Sequence, residues 1–80
     1  MTDLHALWAE VRRLLLDALA LIGPELDATA TLNVTDYIEH NELELALRTI
    51  QEATQEQCVS LPEEALQHLK QAAFLMKVDL

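Results

Sequence analysis

Glycine and cysteine each occur once in this 80-residue chain, proline occurs twice, and the aromatic side chains are one Trp, one Tyr and one Phe. With a single glycine, there is no glycine-rich turn or oxyanion-type loop to support a nucleophile. One cysteine, Cys58, permits no intramolecular disulfide, which fits a reducing compartment. Cations are scarce too: five Lys and Arg face 14 Asp and Glu, for a formal net charge of −9. That balance excludes direct nucleic-acid binding, which needs a clustered Lys/Arg footprint. Long apolar runs are also missing. Leu14 to Ile22 is interrupted by Asp17 and closed by Gly23-Pro24, well short of the roughly 20 residues that span a bilayer. The N-terminus shows no basic, apolar and small-residue succession of a secretory signal. These absences predict a cytoplasmic protein with no membrane segment.

What the chain does have is apolar surface, 51% of its residues, more than a disordered acidic tail carries. A single domain over 1–80 follows from the length. A domain of this size buries only about 60% of its unfolded surface, so its core is thin.

Leu, Ala, Glu and Gln predominate without any strand-turn-strand pattern, which predicts an all-α fold. Four helices are expected, in a compact antiparallel bundle whose short connections place consecutive helices side by side. The first, capped by Thr2 and Asp3, has its stripe at Leu4, Leu7, Trp8, Val11, Leu14, Leu15, Ala18, Leu19 and Ile22. Leu16, Ala20 and Leu21 make its second half apolar nearly all round, marking either a central helix or a self-association face.

Pro24 suits the first turn of the second helix, whose stripe is Leu26, Ala30, Val34, Tyr37 and Ile38. The threonines of this helix predict fraying or a kink. Asn41 with Glu44 reads as a capping pattern for the third helix, followed by Leu43, Ala46, Leu47, Ile50 and Thr54. Ser60, Pro62 and Glu63 read as cap, first-turn proline and capping acid of the fourth, with Leu66, Leu69, Ala72, Ala73, Met76 and Leu80 inward. Lys70 and Lys77 suit its negative C-terminal end.

The charge is unevenly spread. Residues 23–66 hold ten acids and one base, Arg48. On helical projections, Glu25, Leu32, Asp36 and Glu39 fall opposite the core of the second helix, and Leu45, Glu52 and Glu56 opposite that of the third. Such a surface has two readings: a solvated face that keeps a small protein dispersed, or a focused field that attracts a basic partner around an apolar centre.

Candidates for chemistry are poor. His5, His40 and His68 share no metal-ligand spacing with each other or with Cys58. The acids around His40 (Asp36, Glu39, Glu42, Glu44) read as a helix corner, with carboxylates near the positive end of the third helix. Trp8 and Tyr37 lie on core stripes and read as packing residues. No reactive group and activating partner occur at recognisable spacing, so neither catalysis, metal nor cofactor is expected.

The stretch Tyr37-Ile38-Glu39-His40-Asn41-Glu42-Leu43-Glu44-Leu45-Ala46-Leu47 resembles the small immunity proteins of bacterial polymorphic toxin systems, in particular the MafI-like group. The shared pattern is an aromatic-aliphatic pair, His-x-Glu and Leu-Ala-Leu, here Tyr37, Ile38, His40, Glu42, Leu45, Ala46 and Leu47. That group commonly has Gly where Asn41 stands. The resemblance implies a non-enzymatic cytoplasmic protein that binds and neutralises a cognate toxin, often a nuclease, with its acidic surface matching a basic cleft. It also implies a core role for Leu45, against the projection.

The expected contacts with a basic toxin are Glu25, Leu32, Asp36, Glu39, Glu42, Glu52 and Glu56. Two alternatives stand beside this expectation. One is a homodimeric adaptor or regulator joined through Leu16, Ala20 and Leu21; the other is a DNA mimic that inhibits a nucleic-acid-binding protein.

Overall fold

The structure, a computed structural model, describes residues 4–78. Its elements are α1 (Leu4–Ile22), a 3-10 turn (Gly23–Glu25), α2 (Ala28–Glu39), α3 (Leu43–Glu56) and α4 (Glu63–Met76). The fold is the expected all-α compact antiparallel bundle, with no strand among the described residues. Its radius of gyration of 11.9 Å matches the about 12 Å of a folded chain this long. The Thr2–Asp3 cap and Leu80 lie outside the described residues.

The helices pack chiefly as two pairs, α1 with α4 and α2 with α3, and α1 touches all three others. The first pair corrects the expectation that consecutive helices are nearest neighbours. After α1 the chain turns through Gly23–Glu25, and Leu26 is extended (φ −91°, ψ 153°), which carries α2 away from α1. The buried face of α4 is mostly alanine (Ala65, Ala72 and Ala73 around Leu69), a shallow surface on which the larger residues of α1 can lie closely. Val11, Leu15, Ile22, Val34, Leu47, Ile50 and Leu69 are the largest fully buried side chains. Every helix therefore contributes to the core.

Helix starts differ from the sequence patterns. Pro24 lies in the 3-10 turn rather than in α2, which is capped by Asp27: its Oδ1 accepts from the Ala30 N–H at 2.7 Å. Such a cap contributes about 0.5–2 kcal/mol. Asn41 does not cap α3; Glu42 holds that position, without a side-chain cap bond. Pro62 precedes α4, and neither Ser60 nor Glu63 forms the anticipated capping box. The threonine-rich α2 is continuous, with Thr35 Oγ1 donating back to the Thr31 carbonyl at 2.9 Å.

Helix ends carry the less expected feature. Asn41, Cys58 and Lys77 all have left-handed backbone (φ 59°, 53° and 59°). Each stops a helix by the same paired bonds, in which the following residue's N–H reaches back to the carbonyl five positions earlier. These are Glu42 to Tyr37 (2.8 Å), Val59 to Thr54 (2.9 Å) and Val78 to Ala73 (3.0 Å). Val59 and Val78 also pack on the core, the apolar contact that accompanies such a stop. Lys77 thus forms the stop itself, and Lys70 sits a turn earlier than a partner for the helix end would.

Candidate functional site

The acidic residues singled out in the sequence are all exposed on α2, α3 and the adjoining turns, in four places. Leu32 (69% exposed), Asp36 and Glu39 share the outward face of α2. Glu52 and Glu56 instead line a shallow groove of about 220 Å³ between α2 and α3, with Asp27, Thr29, Asn33 and Thr49. Glu25 lies in the 3-10 turn and Glu42 at the α2–α3 corner. Of the acids expected beside Leu32 on the second helix, Asp36 and Glu39 lie on α2 and Glu25 lies before it, and with Glu42, Glu52 and Glu56 they make a broad acidic surface over the hairpin.

Two bonds hold the groove's far end closed: the Asp27 N–H donates to Gln57 Oε1 (3.1 Å), and Gln57 Nε2 donates to Asp27 Oδ2 (3.2 Å). One carboxylate thus caps α2 and ties it to the end of α3.

Few cations offset this surface. Among the described residues, Glu25, Glu39, Glu42, Glu52 and Glu56 form no ion pair, while Glu44 meets Arg48 at 3.3 Å and Asp36 meets His40 at 3.5 Å. Arg13 is occupied within α1 by Glu10 and Asp17. Its hydrogen bond to Glu10 holds that carboxyl below its ordinary range.

His40 closes α2, its Nδ1–H donating to the Asp36 carbonyl at 2.8 Å. That bond, and then the Asp36 carboxylate with smaller contributions from Glu42 and Glu39, raises the imidazole above its ordinary value. Protonation therefore favours the folded form: the contribution is fully present below about pH 6.5 and fades as the pH rises through the raised value. An NMR titration of Asp36→Asn should return His40 only part of the way to its ordinary value, because the carbonyl acceptor remains. Full return would assign the whole shift to the carboxylate.

A second groove, of about 410 Å³, opens at the corner end. Trp8, Leu43, Leu45, Met76 and Val78 supply its apolar walls; Asn41, Glu42 and Glu44 supply its polar rim. Trp8 is 36% exposed and Leu4, one turn earlier, 60% exposed, so the start of the α1 stripe is not core. Tyr37, by contrast, packs half-buried against the core as expected. Leu45 is 46% exposed, in agreement with the projection and against the core role implied by the resemblance. Arg12 bridges α1 to this corner by donating to Asn41 Oδ1 at 3.2 Å. The only sequence signal was Leu45 standing outward on its projection, since α1's uncovered first turns depend on where α4 ends.

The remaining candidates are scattered. Cys58 is exposed and edges an open groove of about 340 Å³ with Val59, Leu61 and Leu66. No group of three or more His, Cys, Asp or Glu among the described residues is placed to hold a metal ion. Leu16 and Ala20 share one face of α1, but Leu21 lies about 140° from Leu16 around the helix. All three are exposed, along an arc of the helix that has Ala20 between the two leucines. Among the described residues, no helix is long and apolar enough to cross a membrane. No protein-family model matches this chain, and neither a curated protein nor a solved structure matches it.

Proposed function

We propose that this chain is a non-enzymatic, cytoplasmic immunity-type protein that binds a basic toxin domain through the acidic surface of α2 and α3 and blocks its cleft. The observation that carries this reading is charge segregation. Five carboxylates on this surface form no ion pair with a described residue, whereas Arg12, Arg13, Lys70 and Lys77 belong to α1 and α4 or, for Lys77, its end. Unpaired, solvated carboxylates on one side produce a directional field that speeds encounter with a basic cleft. Leu32, exposed beside Asp36, offers apolar area to hold the complex once formed. The left-handed backbone of Asn41 also supports the resemblance, since a glycine would fit there without strain.

The test is a tagged pull-down from a lysate of the source cells at low and high salt, with bound proteins identified by mass spectrometry. The expected result is one basic protein, retained better at low salt, whose toxic or nuclease activity this chain suppresses. Recovery of a nucleic-acid-binding protein without toxicity would replace the toxin by the target of a DNA mimic. Recovery of its own untagged copy alone would point to a homodimer.

A further inference from the structure

We propose that the groove at Trp8 is the anchor pocket of the partner interface and receives an apolar side chain flanked by lysine or arginine; this rests on the acidic-surface reading above. Three large apolar residues, Leu4, Trp8 and Leu45, stay exposed near this end of the bundle, while the remaining walls run down to the buried Leu43. Exposed apolar side chains scattered singly are ordinary; a concave cluster with a tryptophan in its wall has the make-up of an interface hot spot. Its volume, about 410 Å³, lies within the about 300–1,000 Å³ of ligand-binding clefts.

The rim decides the occupant. Glu42 forms no ion pair with a described residue, and Glu44 is held only by Arg48 across an exposed helical turn. Asp36 and Glu39 continue the negative surface along the last turn of α2. An arriving lysine or arginine can lay its aliphatic stem on Trp8 and Leu45 and bring its charge to Glu42. A second copy fits less well, because a two-fold contact here would set Glu42 and Glu44 against the same acids between two chains of net charge −9. Arg12, bonded to Asn41, ties the Trp8 wall to the corner before any partner arrives, which limits the ordering cost of binding.

Trp8 is the only tryptophan, so its fluorescence reports on this groove directly. The probe is an N-acetylated, C-amidated Lys-Leu-Phe-Arg tetrapeptide, compared with Glu-Leu-Phe-Glu. The basic peptide should shift Trp8 emission to shorter wavelength and saturate, and the acidic one should not. Leu45→Ser and Glu42→Gln, both at exposed positions that leave the core intact, should each weaken the response about tenfold. No response to the basic peptide, an equal response to the acidic one, or a response unchanged in Leu45→Ser would overturn the proposal. A peptide-free emission shift that grows with protein concentration and vanishes in Leu45→Ser would assign the groove to a second copy instead. The two readings fail separately: a basic protein captured equally well by Leu45→Ser removes the groove and keeps the acidic surface. Absence of any basic partner removes the acidic surface itself.

Discussion

Leu47→Ala is expected to remove about 2–5 kcal/mol of stability, the cost of deleting a buried leucine and leaving a cavity. Leu47 is 1% exposed on α3, in a core to which every helix contributes. A chain of this length has about 4–12 kcal/mol of total stability, so this one substitution should bring it near the threshold of unfolding. Urea denaturation should show a much lower midpoint with an unchanged slope. Leu45→Ala, two positions away on the same helix, should cost less than about 1 kcal/mol, because that side chain already faces solvent. The pair is informative because the two leucines have similar intrinsic propensities. Equal losses would mean that α3 is rotated from the arrangement described, and that Leu45 belongs to the core.

The second large effect concerns association. Glu39→Lys combined with Glu52→Lys changes the formal net charge from −9 to −5, two units per substitution. Both side chains are exposed and form no ion pair with a described residue, so the fold should keep its stability. The association rate with the basic partner should fall about tenfold or more at low salt, within the range attributable to steering. The dependence of that rate on ionic strength should flatten, while dissociation changes little. Leu32→Ser should do the reverse, speeding dissociation and leaving association almost unaltered. Stopped-flow mixing at several salt concentrations separates these effects. An association rate insensitive to the double reversal would leave this surface with only a solubilising role.

The composition and apolar spacing of this chain suffice for an all-α fold, and the buried residues of α3 could be read from their recurrence, because a helix with one dry face repeats its apolar residues every three to four positions. The exposure of Leu32, Asp36, Glu39, Glu52 and Glu56 was equally legible, since projection depends only on helical geometry; Glu25 and Glu42 are exposed because they lie in turns, which projection does not describe. The helix stops were not. With one glycine, and that one outside the left-handed region, the chain ends three helices on Asn41, Cys58 and Lys77. Left-handed backbone costs most non-glycine residues roughly 1–2 kcal/mol; Asn41 is of a type that tolerates it at a helix end, but Cys58 and Lys77 are not, so nothing in their residue type announced those two stops.

Pairing and grooves were decided only in three dimensions. Sequence adjacency favoured α1 beside α2, but the extended Leu26 and the alanine face of α4 bring the first and last helices together. That choice leaves Leu4 and Trp8 uncovered and turns a presumed packing tryptophan into the wall of a groove, while the acidic residues fall partly in two concavities and partly on the outward face of α2 and in the 3-10 turn. Periodicity specifies which face of a helix leaves water. Which neighbour covers that face, and where the cover ends, depends on side chains distant in sequence, and that is set by tertiary packing alone.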